Sequence, residues 1–247
     1  MPMFILDPND PFPPPELAGP DGLLAVGGDL SPERIIRAYK KGIFPWYNPG
    51  EPVLWWSPDP RCVLEPECLH VSRRLMRTIR QARFTVTFDT AFDEVITSCA
   101  AIRLSNGTGT WLTPEMILAY KRLHAMGLAH SVEAWDKDVL AGGLYGIALG
   151  QVFFGESMFT RIKDASKVAF VTLVQDLSAH GFRLIDCQVR SDHLLSFGAK
   201  EISREDFHAR LNDLLSGSTS LPPAPWHHII HGNGQDHRRR RHTRMPA

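Results

Sequence analysis

Apolar positions along the chain recur with two periods, and the alternation between them sketches the fold. Within 71–82, Val71, Leu75, Ile79 and Ala82 fall on one side of a helix. Residues 84–88, Phe-Thr-Val-Thr-Phe, alternate as a strand. Asp89-Thr90 then predicts a cap for a helix bearing Phe92, Val95, Ile96 and Cys99. Thr113-Pro114-Glu115 caps another, through Met116, Tyr120 and Leu123 to a stop at Gly127. A three-strand meander is expected over 130–135, 139–149 and 150–159. Asp164-Ala165-Ser166 starts a helix carrying Val168, Val171, Val174 and Leu177. A strand follows over 182–189, and Ser203-Arg-Glu-Asp206 caps a last helix with Phe207, Leu211 and Leu214 inward.

Ahead of this regular portion the texture differs. Residues 1–62 are rich in Pro, Gly and Trp, with one helix opened by Ser31-Pro32-Glu33 and closed by Gly42. Trp55 and Trp56 are expected to close a small aromatic core. Trp46, between Pro45 and Tyr47, competes for a role in stacking on a base or ligand. The order β, α, α, β, β, β, α, β, loop, α resembles the N-acetyltransferase-like (GNAT) fold. The expectation is therefore an α+β catalytic domain over 63–215, a mixed sheet with helices on both faces, preceded by a small domain over 1–62. Residues 216–247 hold Gly, Ser, Pro, His and Arg with little apolar content and read as a disordered basic tail.

Composition narrows the partners. Among 247 residues, Lys plus Arg balances Asp plus Glu at 27 each, so attraction to nucleic acid requires a local patch. Arg73, Arg77 and Arg80 supply one: they recur at helical spacing on a face with no acid. Four cysteines form no C-x-x-C pair, which disfavours a zinc ribbon or thioredoxin-type site. His227, His228 and His231 lack a structured context for a metal. With no signal peptide and no spanning apolar run, a cytoplasmic, non-membrane protein is expected.

Two strands carry the candidate chemistry. In Gly150–Phe159 one carboxylate, Glu156, and one hydroxyl, Ser157, sit among Phe153, Phe154, Met158 and Phe159, with Gly155 permitting close approach. Strict alternation puts Phe154, Glu156 and Met158 on one face, and Phe153, Ser157 and Phe159 on the other. In Leu184-Ile185-Asp186-Cys187-Gln188 the same alternation gives Asp186 and Gln188 a common face. A carboxylate holding a primary amide suits an attacking amine; the alternative is that Asp186 bonds a loop amide and Gln188 lines the core. A CoA-dependent GNAT N-acyltransferase would carry Gln/Arg-x-x-Gly-x-Gly/Ala, and no Gln or Arg here has Gly three residues on.

Several segments occur in a telling order: Gly22-Leu-Leu-Ala-Val-Gly-Gly-Asp-Leu-Ser31, Gly42-Ile-Phe-Pro-Trp46, Leu54-Trp-Trp-Ser-Pro-Asp-Pro-Arg61, Gly109-Thr-Trp111, Gly155-Glu-Ser-Met-Phe159, Ala165-Ser-Lys167, Leu184-Ile-Asp-Cys-Gln188 and His193. Together they resemble the bacterial leucyl/phenylalanyl-tRNA–protein transferase family over roughly 10–215. The resemblance implies transfer of Leu or Phe, and less well Met, from aminoacyl-tRNA to proteins with N-terminal Arg or Lys, which creates a degradation signal. It implies catalysis by Asp186 and Gln188 in a monomer without metal or cofactor, because the ester is already activated, and binding of the terminal adenosine and adjoining groups by Trp46, Trp111 and Glu156. It implies an acyl pocket of Phe153, Ser157, Met158 and Ile185, with Leu144, Phe170, Leu173 and Leu177 at further pocket positions. A non-catalytic tRNA-binding module remains a second class.

Overall fold

The computed structural model describes residues 4–105, 112–217, 219, 226 and 229–231. Trp111 and most of the expected basic tail lie outside them. The chain runs β1 (Phe4–Leu6), β2 (Leu23–Gly27), α1 (Pro32–Lys40), β3 (Phe44–Pro45), β4 (Leu54–Trp56), β5 (Arg61–Leu64), α2 (Arg73–Arg80), β6 (Thr85–Phe88), α3 (Phe92–Ser105) and α4 (Pro114–Ala125). It continues through β7 (Ala129–Asp136), β8 (Val139–Leu149), β9 (Val152–Thr160), α5 (Ala165–Ala179), β10 (Leu184–Gln188), α6 (Asp192–Leu195), β11 (Lys200–Ile202), α7 (Arg204–Leu215) and β12 (Ile229–His231).

Helix starts follow their capping residues. Ser31, Ser72, Thr113 and Ser203 each accept the backbone N–H three residues on, opening α1, α2, α4 and α7. Two expected caps are built differently. At α3 it is Glu133 of β7 that accepts the N–H groups of Thr90 and Ala91, because Asp89 is already engaged by His130 and the Ser131 N–H. Asp164 precedes α5 in the left-handed region and makes no side-chain cap bond.

Two sheets result. The first has the order β1-β2-β4-β3; Trp55, fully buried, closes its core through an edge contact with Phe12 and an indole N–H donated to the Gly27 carbonyl at 2.9 Å. The second has the order β11-β5-β10-β9-β8-β7-β6-β12. One apolar cluster joins α1, α3 and α4 to one face of it, through Ile35, Val95 and Tyr120 with Tyr145 and Phe154. Another joins α5 to the opposite face, through Val171 and Val174 with Leu144 and Phe153. The architecture is mixed α+β with helices on both sides of the large sheet. Two pieces of the expected disordered tail lie against it: Trp226 stacks on His130, ring centroids 3.5 Å apart, and β12 pairs with β6.

Among neighbours in the large sheet, β9 and β10 are the parallel pair, and they bond only over Val152–Phe154 and Leu184–Asp186. Beyond Phe154 and Asp186 the two strands separate. Parallel neighbours that part leave a wedge whose walls are strand residues and whose floor is the core. Two irregularities shape it. The register of β9 on β8 shifts between Tyr145 and Gly146, which face Ser157 and Gly155, so Glu156 is the extra residue of a bulge. The bulge overturns strict alternation: Met158 packs with Phe153 in one cluster, and Phe159 with Phe154 in the other. The register of β10 on β5 also shifts between Asp186 and Gln188, with Gln188 at φ 62°.

Candidate active site

A cavity of about 290 Å³ opens where β9 and β10 part. Of the residues expected from sequence, Trp46, Phe153, Gly155, Glu156, Ser157, Met158, Ile185 and Gln188 all line it, as do Leu144, Phe170 and His193. Trp46 stands at the rim, 45% exposed, with its carbonyl accepting the Trp56 indole N–H at 2.6 Å. Leu173 and Leu177, on α5, are fully buried and do not line the cavity. Arg73, Arg77 and Arg80 lie exposed on α2, apart from it.

Asp186 does not line the cavity and is fully buried. The expected common face with Gln188 is lost to the bulge in β10. Asp186 instead makes a bidentate pair with Arg61 of β5: Nε to Oδ1 at 2.8 Å and Nη2 to Oδ2 at 2.6 Å. The guanidinium is in turn packed on Phe44 and Phe207, 4.8 and 4.6 Å from the ring centroids. Asp186 Oδ1 also accepts the backbone N–H of Gln188 at 2.9 Å. That bond holds the left-handed turn at Gln188 and so aims the carboxamide into the cavity.

The polar wall converges on Glu156. Gln188 Nε2 donates to Glu156 Oε1 at 3.0 Å. Tyr39 of α1 donates to Oε1 at 2.6 Å and Tyr120 of α4 to Oε2 at 2.7 Å. Burial pushes the Glu156 carboxyl up to about 7, against the pull of the two tyrosine hydrogen bonds. Both tyrosine hydroxyls are pushed well above their ordinary range, by burial first and then by the Glu156 charge. Ser157 Oγ is buried with no hydrogen-bond partner among the described residues. Cys187 faces the cavity with its thiol donating to the Ile185 carbonyl oxygen at 3.9 Å. Burial, then nearby Lys167, lowers His193. Among the described residues no group of three or more His, Cys, Asp or Glu is placed to hold a metal ion.

Tyr39, Tyr120 and Arg61 were not singled out from sequence. The tyrosines count as apolar positions on α1 and α4, and Arg61 ends a Pro-rich run. Their roles arise from contacts made 36 to 125 residues away along the chain.

A family model described as leucyl/phenylalanyl-tRNA protein transferase matches residues 63–212, and one for the N-terminal domain of the same family matches 28–59. The chain belongs to this family. The leucyl/phenylalanyl-tRNA–protein transferase of an Anaeromyxobacter species is 61% identical over 208 residues, 84% of this chain and 88% of that one. Its namesake in Desulfatibacillum aliphaticivorans is 56% identical over 219 residues, 89% and 94% of the two chains. That of Nitratidesulfovibrio vulgaris is 61% identical over 202 residues, 82% and 86% of the two. A solved structure, the C-terminal domain of a putative lysylphosphatidylglycerol synthetase from Agrobacterium fabrum, aligns with 10% identity and a TM-score of 0.40, over 81% of this chain and 74% of that one. Of the residues that line the cavity, Phe44, Pro45 and Trp46 lie in the stretch matched by the shorter family model and the rest in the stretch matched by the longer.

Proposed function

We propose that this chain transfers leucine or phenylalanine from aminoacyl-tRNA to the α-amino group of proteins that begin with Arg or Lys. The observation that carries this beyond family membership is the make-up of the wedge. Its apolar wall of Leu144, Phe153, Met158, Phe170 and Ile185 suits an unbranched-β apolar side chain, and its polar wall of Glu156 and Gln188 suits an amine. The amine attacks the ester carbonyl, a peptide bond forms, and the terminal ribose hydroxyl of the tRNA leaves. The ester is already activated, so no metal or cofactor is needed.

In this reading the Gln188 carboxamide accepts a hydrogen bond from the amine through Oε1, because its Nε2 is committed to Glu156. Asp186 is a positioning residue, since both its oxygens are taken by Arg61 and by the Gln188 N–H. Trp46 at the rim offers a face for the terminal adenine. Arg73, Arg77 and Arg80 meet phosphates of the acceptor stem. Residues 63–215 act as the GNAT-like catalytic unit, with the parted parallel strands in the role of its substrate cleft, and 1–62 as a smaller unit that supplies Trp46 and Tyr39. The protein works as a monomer in the cytoplasm; no described helix is long and apolar enough to cross a membrane.

The test is transfer of labelled leucine from tRNA to peptides starting with Arg, Lys or Ala. Label is expected in the first two and not in the third. Binding of aminoacyl-tRNA without turnover would support a tRNA-binding module instead, and transfer from acyl-CoA would support an ordinary N-acyltransferase.

A further inference from the structure

Tyr39, Tyr120 and Glu156 form a closed ring of oxygens; Glu156 lines the cavity, and the two tyrosines are buried behind it. The two hydroxyls are 2.7 Å apart, and they meet Glu156 Oε1 and Oε2 at 2.6 and 2.7 Å. Three contacts this short each require a proton between the oxygens. The hydroxyls carry two. The ring closes only when the carboxyl carries the third: Glu156 Oε2 donates to Tyr120, Tyr120 to Tyr39, and Tyr39 to Oε1. With Glu156 ionised, both hydroxyl protons turn to the carboxylate, and the two phenol oxygens face each other at 2.7 Å with no proton between them. The cluster therefore has a place for one added proton, and it opens on the cavity at the point where Gln188 touches Glu156.

We infer that Glu156, set by Tyr39 and Tyr120, accepts a proton from the incoming α-ammonium group. The inference rests on the transfer reaction proposed above. An N-terminal ammonium carries three protons. One passes to Glu156 and closes the ring, which frees the nitrogen lone pair. Nitrogen bonds to the ester carbonyl carbon, and the bond from that carbon to the ribose oxygen breaks. A second proton leaves nitrogen for the departing oxygen, and the third stays as the amide N–H. Glu156 returns its proton to solvent before the next turnover. Glu156 is thus a catalytic residue, and Tyr39 and Tyr120 are positioning residues.

The energetics match. A free α-amino group has a pKa of about 7.7–8.0, and the Glu156 carboxyl is pushed up to about 7. Proton transfer between them is close to balanced, the condition for an effective acceptor at neutral pH. The groups facing Glu156 are Tyr39 from α1, Tyr120 from α4, Asp186 from β10 and Arg61 from β5, the aspartate raising and the arginine lowering it. Tyr145 of β8 lies edge-on to Tyr120, with ring centroids 5.4 Å apart.

Two measurements test this. Carbon-detected NMR titration of the glutamate carboxyls in the full-length protein, with Glu156 assigned through Glu156→Gln, is expected to show a midpoint near 7. It is expected to move higher in Tyr39→Phe and Tyr120→Phe, because each removes a bond to the ionised form. A midpoint near the ordinary glutamate value of about 4.3 would overturn the inference. The second is kcat/KM against pH with an Arg-initiated peptide. Glu156→Gln is expected to lose at least 10-fold at pH 7, and most of the loss should vanish above the amine's own pKa of about 8. The tyrosine variants are expected to shift the acid limb upward, which a merely structural role would not do. An equal deficit at every pH, or no deficit in Glu156→Gln, would reject the acceptor role while leaving the transfer activity intact. A wild-type chain that transfers nothing would overturn the transfer reaction and the acceptor role together.

Discussion

Asp186 and Arg61 each depend on the other. Both are buried, and they share a bidentate bond. Removing one partner strands a buried charge, which costs about 3–5 kcal/mol, whereas replacing both by apolar groups is often neutral. Asp186→Ala is expected to lose stability on that scale in urea denaturation and to slow single-turnover transfer. Asp186→Ala with Arg61→Met is expected to recover most of the stability, since Phe44 and Phe207 can pack on the methionine. Transfer should stay slow, because the Gln188 N–H still lacks its acceptor. Full recovery of rate in the double variant would show that Asp186 serves only to neutralise Arg61. The sequence displayed Asp186 and Gln188 as a chemically apt pair but not their geometry. Alternation assumes an unbroken strand, and a non-glycine residue at positive φ leaves no compositional mark. Tyr39 and Tyr120 were legible as core residues only, because a hydroxyl's partner is set by tertiary contact.

At the scale of elements, the helices were the most legible part. Ser31, Thr113 and Ser203 each sit one residue before their helix and bond as expected. The short strands β2, β4, β5 and β11 were not read, since three to five residues give too few periods to count and they form by pairing with distant partners. The bulge in β9 was also hidden, although it turns Glu156 toward the two tyrosines. Gly146 sits opposite it, and a Cβ there would collide with the Phe154 carbonyl oxygen and the Phe153 ring. Gly146→Ala should cost about 1–3 kcal/mol, the range for overpacking, and should reduce transfer more than stability alone explains. Gly155→Ala meets only the Asp186 carbonyl oxygen at 3.6 Å, and its stability should stay near wild type. Comparable denaturation midpoints for the two variants would contradict this account of the bulge.

For the molecule as a whole, zero formal net charge leaves tRNA attraction to local patches. The acid-free face of α2 is one, and Arg73, Arg77 and Arg80 are exposed there. Changing all three to Glu is expected to weaken tRNA binding and to flatten its dependence on salt, each lost phosphate contact removing about 0.7–0.9 from the logarithmic slope. Unchanged binding and slope would make α2 an ordinary solvated helix. The family was legible from motif order, and several of those segments, from Trp46 to His193, line one wedge. The central claim is that this wedge holds the amine and the ester together, with Gln188 on the amine. Single-turnover transfer of leucine from tRNA to an Arg-initiated peptide by Gln188→Ala tests it most directly, with aminoacyl-tRNA affinity measured on the same sample. The expected result is a rate lowered about 10²- to 10⁴-fold with affinity nearly unchanged. A wild-type rate in that variant would place the chemistry elsewhere.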